Sequence, residues 1–143
     1  MQDAAQSPEF VPVDPDRHAN RFWRRPTDHR HAAGAARVQV VLAELCEAAS
    51  LFPIAFETAE GARRAVALLR PDPEGPHPWI DPETWRWRGP YLPAALRAHP
   101  FEARPTAQGK LALLVDEASG LVTGTPDAEP FFAPDGRISA RLQ

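Results

Sequence analysis

A chain of 143 residues, 43% of them hydrophobic, suits one folded domain able to bury a sizeable core. Its net charge of −3 makes no electrostatic case for a nucleic-acid partner, and its single cysteine excludes an internal disulfide. No apolar run approaches the roughly 20 residues that span a bilayer, and no basic segment followed by an apolar one opens the chain, so a soluble cytoplasmic protein is expected. Of the 16 Lys and Arg residues only Lys110 is lysine; with abundant Ala and Pro, that bias fits a GC-rich genome better than a binding need.

Residues 1–35 are rich in Pro, Arg, His, Asp and Ala with little periodicity, and read as an irregular arm. Phe22 and Trp23 are costly to leave in water, so Val11 to Trp23 has reason to dock as a strap. His18, His29 and His31 lie near Asp14, Asp16 and Asp28 and suggest a metal site by composition. The segment lacks a scaffold to fix coordination geometry, so the reading is a solvated histidine cluster, with no metal and no cofactor assigned.

Val38 to Phe52 reads as the main helix: Val41, Leu45, Ala48 and Phe52 repeat at helical spacing, and Val38, Leu42 and Ala49 widen the stripe. Cys46 falls inside it as a buried structural thiol. Glu44 flanks the stripe. If partly buried it needs a partner, such as an arginine of the 85–101 stretch; the functional alternative is a general base with a raised pKa. Pro53 ends the helix. Ile54–Glu57 and Arg64–Leu69 then form a hairpin around Gly61. Pro71 to Pro82 is a proline-stiffened loop, with Trp79 placed to pin it to the core.

The stretch from Trp85 to Phe101 organises the rest. Trp85 and Trp87 alternate with Arg86 and Arg88, which in a strand puts indoles on one face and guanidiniums on the other. Gly89-Pro90 is a turn signal, Pro93 suits the first turn of a short helix carrying Leu92 and Leu96, and Pro100 stops it. Phe101–Arg104 and Lys110–Val115 make a second hairpin, and the nearly continuous apolar run at Leu111 to Val115 predicts a central strand. Asp116-Glu117 at its end reads as a solvated turn, or as a carboxylate pair able to bind a cation or act in catalysis. Phe131-Phe132 returns to pack before Asp135-Gly136. The predicted fold is therefore α+β: an antiparallel sheet of four to six strands with one main and one short helix packed on it.

Several of these blocks resemble the SapC family of bacterial proteins. The pattern runs Trp85-Arg86, then Gly89, Tyr91, Pro93, Leu96-Arg97, then Pro100-Phe101. Ala43-Glu44-Leu45 before Pro53-Ile54-Ala55-Phe56, Ala67-Leu68-Leu69, Leu113 to Glu117, and Pro130-Phe131-Phe132 with Asp135-Gly136 are similar to its other blocks, in family order, over roughly residues 38–138. One departure stands out: the family's paired basic residues before Tyr-Pro-Phe become Arg97-Ala98-His99-Pro100-Phe101. The resemblance implies a SapC-like domain over 36–143, an N-terminal module without the family's helical C-terminal region.

No phosphate-binding Gly-rich loop, nucleophile elbow or zinc-spaced Cys/His set is present, which counts against the commonest enzyme classes. Two functions follow. The first is a non-catalytic accessory module binding a protein or peptide through Trp85, Trp87, Arg88, Tyr91, Arg97 and Phe101, with Glu44 beside them, since Trp, Tyr and Arg dominate interface hot spots. The SapC resemblance implies a role in surface-protein handling or with a partner enzyme; a homo-oligomer also fits. The second is a small enzyme or ligand-binding domain with Glu44, Arg88, Tyr91, Arg97 and Asp116 converging on a pocket. Beside both stands the plain reading that the aromatics are core.

Overall fold

The computed structural model describes residues 8–59, 61–72 and 74–142. In chain order it holds β1 (Phe10–Pro12), α1 (Pro15–His18), β2 (Phe22–Trp23), β3 (Arg37–Gln39), α2 (Leu45–Ala49), β4 (Ile54–Ala59), β5 (Ala62–Leu68), α3 (Ala94–Arg97), β6 (Phe101–Pro105), β7 (Leu111–Asp116), β8 (Val122–Thr123) and β9 (Glu129–Pro130). All strand pairs are antiparallel, so the α+β class holds. The single sheet of four to six strands does not. Three separate three-stranded sheets replace it, with orders β1-β7-β6, β8-β2-β9 and β3-β5-β4. The chain divides into two units, one of residues 8–26 and 99–142, the other of residues 27–98.

In the first unit β7 is the central strand, as its apolar run predicts, with Val115 opposite both Val11 and Phe101. The β6–β7 hairpin turns at Gly109, where φ is +72°. Trp23, Val115 and Phe131 form the core, and Phe101 meets Trp23 edge to face at 4.9 Å between centroids. The N-terminal segment supplies β1 and β2 to these sheets, so Val11 to Trp23 docks through backbone pairing.

His18 corrects the reading of a solvated histidine. It is fully buried against Phe131, its Nδ1 accepts from the Asp14 N–H, and its Nε2 lies 3.1 Å from Glu117 Oε1. Glu117 also takes the guanidinium of Arg17, and those contacts hold its carboxyl below the usual range despite the opposing effect of burial. Asp116 is buried too: its carboxylate accepts the N–H groups of Glu9 and Ala118 at 2.8 and 3.1 Å, so it caps the 3-10 turn at Glu117–Ser119.

In the second unit the hairpin of β4 and β5 turns at Gly61, with φ at +77°. The long helix expected over Val38–Phe52 is absent. Val38 pairs with Ala67 in β3, a 3-10 turn follows at Leu42–Glu44, and only Leu45–Ala49 is α-helical. The reason is local: Val38, Val40 and Val41 are β-branched, and Val38 and Val40 alternate with Gln39 as a strand requires. Val40 is buried while Val41 and Leu42 point outward, and Cys46 is exposed rather than buried. Ala48, Phe52, Ala67, Leu69, Ile80 and Leu96 fill the core. Among the described residues no helix is long and apolar enough to cross a membrane.

Candidate interaction site on the tryptophan loop

Residues 79–97 of the second unit hold most of the residues singled out from the sequence. Trp79-Ile80-Asp81 runs antiparallel to Arg86-Trp87-Arg88: Asp81 N–H donates to Arg86 O at 2.9 Å, Arg88 N–H to Trp79 O at 2.8 Å, and Ile80 bridges Trp87. Asp81 closes the turn. Its carboxylate accepts the N–H groups of Glu83 and Thr84, its carbonyl accepts Trp85 N–H, and Arg88 clamps the same carboxylate from outside. The Thr84 N–H first, then Arg88, hold the Asp81 carboxyl far below the usual range.

This turn overrides the alternation that predicts a strand at Trp85–Arg88. Trp85 adopts φ +59°, the only non-glycine residue with positive φ among the described residues, so the two indoles do not share a strand face. Arg30 lies over the Trp85 ring at 5.2 Å. His29 anchors the loop from the side: its N–H donates to Trp85 O at 2.8 Å and its Nδ1 accepts Trp87 N–H at 3.1 Å. His31 Nε2 lies 3.1 Å from Leu96 O. These histidines thus serve backbone groups, and among the described residues no group of three or more His, Cys, Asp or Glu is placed to hold a metal ion.

The positive φ at Trp85 carries a test. A side chain there costs about 1 kcal/mol over glycine in the left-handed region. Trp85→Gly should therefore be more stable than Trp85→Ala by about that amount, read by urea unfolding. Equal stabilities would mean that the loop relaxes out of this conformation.

Trp87 is held on several sides. Its Nε1–H donates to Tyr91 O at 2.8 Å, Trp79 stacks on it at 6.0 Å and 17°, and Phe52 meets Trp79 edge to face at 5.0 Å. Tyr91 in turn donates its hydroxyl to Glu44 Oε2, which also accepts Ala94 N–H at 2.8 Å; Glu44 Oε1 accepts Val41 N–H at 3.0 Å. Glu44 is thus buried and paired, though by a tyrosine and two backbone amides rather than by an arginine ion pair. Burial pushes its carboxyl up, but the bonds from Tyr91, Ala94 and Val41, with the charge of Arg97, outweigh that and set it below the usual range. Burial and the bond to Glu44 raise the Tyr91 hydroxyl in turn.

Glu44, Trp85, Trp87, Arg88, Tyr91 and Arg97 accordingly gather in one unit. Trp79, Trp85, Trp87 and Tyr91 are half-buried, each resting on the core with one side, while Arg30, Arg88 and Arg97 are exposed and Arg97 lies 6.0 Å from the Tyr91 ring centre. Phe101 and Asp116 belong to the other unit and its own core and turn. The sequence reading missed Asp81 and Arg30 as parts of this arrangement. An Asp-Pro signal at 81–82 was available for the first.

The SapC family model matches residues 13–143. The chain belongs to the SapC family. No curated protein and no solved structure matches it. The SapC match extends on both sides of the 38–138 blocks and takes in β2, whose Trp23 sits in the first core.

Proposed function

We propose that this SapC protein is a non-catalytic recognition module that binds a protein or peptide partner with the outer side of residues 79–97, serving surface-protein handling or a partner enzyme. One observation carries the reading: four half-buried aromatic rings rest on the core, while the exposed side chains of Arg30 and Arg97 lie against two of them and exposed Arg88 pairs with Asp81 at their edge. Trp, Tyr and Arg are the side chains that dominate binding hot spots, and a surface ordered before binding loses less entropy on docking. The enzyme alternative has less support. A general base is most effective with a pKa near neutrality, whereas Glu44 is buried, accepts three donors, and those bonds hold its carboxyl below the usual range.

The test compares the full chain with an Arg30→Ala/Arg97→Ala variant, both tagged, in capture from the native host followed by mass spectrometry. Both arginines are exposed, so the variant should fold, as circular dichroism will check. The expected result is a partner retained by the wild type and weakened about tenfold or more in the variant. Equal capture by the two proteins would remove the 79–97 surface from consideration.

A further inference from the structure

A second surface in the same unit has a different chemistry. The run Val41-Leu42, expected on the apolar stripe of a helix, instead faces water: Val41 is 50% and Leu42 86% exposed, and Phe56 on edge strand β4 is 73% exposed. These side chains do not stand singly. Leu42, Leu45 and Phe56 line a groove of about 330 Å³ that includes Ala65 of β5, with Arg63 and Arg64 among its lining. The register explains the shape. Phe56 lies directly across from Ala65, and the small methyl of Ala65 leaves a trough beside the ring. Arg63, two residues before Ala65 on the same strand, projects on the same face.

The charge of the groove is one-sided. Its lining includes Arg63 and Arg64 and no Asp or Glu, and the Arg63 side chain makes no ion pair or hydrogen bond with any described residue. Its volume falls at the lower end of small-molecule pockets, which suits one or two side chains more than a whole organic ligand. We propose that this groove binds an acidic peptide segment: a large apolar side chain seats over Ala65 between Leu42 and Phe56, and a neighbouring carboxylate pairs with Arg63. Apolar side-chain insertion supplies the affinity and the guanidinium fixes direction, a division common in peptide recognition.

The surface is separate from the tryptophan loop, so its test is independent of the proposed function above. The probes are fluorescein-labelled heptapeptides with a central leucine or phenylalanine flanked by aspartate and glutamate, read by fluorescence anisotropy on the full chain. Saturable binding is expected, weakened about tenfold or more by Phe56→Ala and by Arg63→Glu and unchanged by Arg30→Ala/Arg97→Ala. Replacing the acidic flanks by lysine should abolish binding to the wild type and restore it to Arg63→Glu. Phe56 and Arg63 are both exposed, so neither change threatens the fold. Any of three results overturns the proposal: no peptide binds saturably; binding is indifferent to Phe56→Ala and Arg63→Glu; or sedimentation shows that the chain dimerises and Phe56→Ala dissociates it, which would make a second copy the occupant.

Discussion

Glu44→Ala is expected to destabilise the unit of residues 27–98 by about 3 kcal/mol. The carboxylate joins three segments: it accepts Val41 N–H at the head of its own 3-10 turn, Ala94 N–H at the start of α3, and the hydroxyl of Tyr91. Removing it leaves three donors short of a partner, each worth about 1–3 kcal/mol when buried, less whatever water recovers in the vacated space. Tyr91→Phe should cost about 1 kcal/mol, because it deletes one donor and leaves the carboxylate with two. Unfolding in urea, followed by tryptophan fluorescence, measures both.

The same residue sets a pH dependence. The Glu44 carboxyl is lowered in the folded chain from its reference value of 4.5. The unfolded state therefore binds its proton first as pH falls, and the stability that Glu44 supplies is fully present above about pH 4.5 and lost as pH drops through the folded value. The stability gap between wild type and Glu44→Ala should be constant from pH 6 to 8 and shrink in acid. A gap that widens in acid would mean that Glu44 is protonated in the native protein.

Gly89→Ala is expected to cost about 2–3 kcal/mol, unusually much for one methyl group. A Cβ at residue 89 would stand 2.7 Å from Trp87 Nε1 and 3.0 Å from Trp79 Cε3, both too close. The indole of Trp87 cannot retreat freely, since its Nε1–H is bonded to Tyr91 O and its ring is stacked on Trp79. The change should therefore alter the near-ultraviolet dichroism of the tryptophans as well as the unfolding midpoint. Gly61 is the control: a Cβ there meets nothing within 4 Å, and only its φ of +77° opposes substitution. Gly61→Ala should lower stability by about 1 kcal/mol without touching the aromatic signal. Similar aromatic spectra for Gly89→Ala and wild type would show that the two indoles have room to separate.

Gly89 shows where reading the sequence stops. As Gly89-Pro90 it is legible as a turn, yet its demand for a missing side chain comes from Trp79, ten residues back, and Trp87 folded against it. Glu44 is similar. Its place beside an apolar stripe marks a carboxylate that needs a partner, but the partner lies at Tyr91, 47 residues on. The strand misread at Trp85–Arg88 has a more local cause: an alternating pattern is overruled when Asp81 caps a turn and draws Trp85 to positive φ.

The sequence by itself determined the family, the α+β class, both hairpins with their glycine turns, the central position of β7 and the short helix after Pro93. Each depends on neighbours in the chain or on the order of motifs, so each is written locally. Only the tertiary structure decided that the strands form three sheets, that His18 is buried, that Glu44 is held by Tyr91 and two amides, and that Leu42 and Phe56 stand beside one groove. Those outcomes depend on which distant segments meet, because a buried polar group takes whichever donor is brought to it and an apolar side chain is buried only if another surface arrives to cover it.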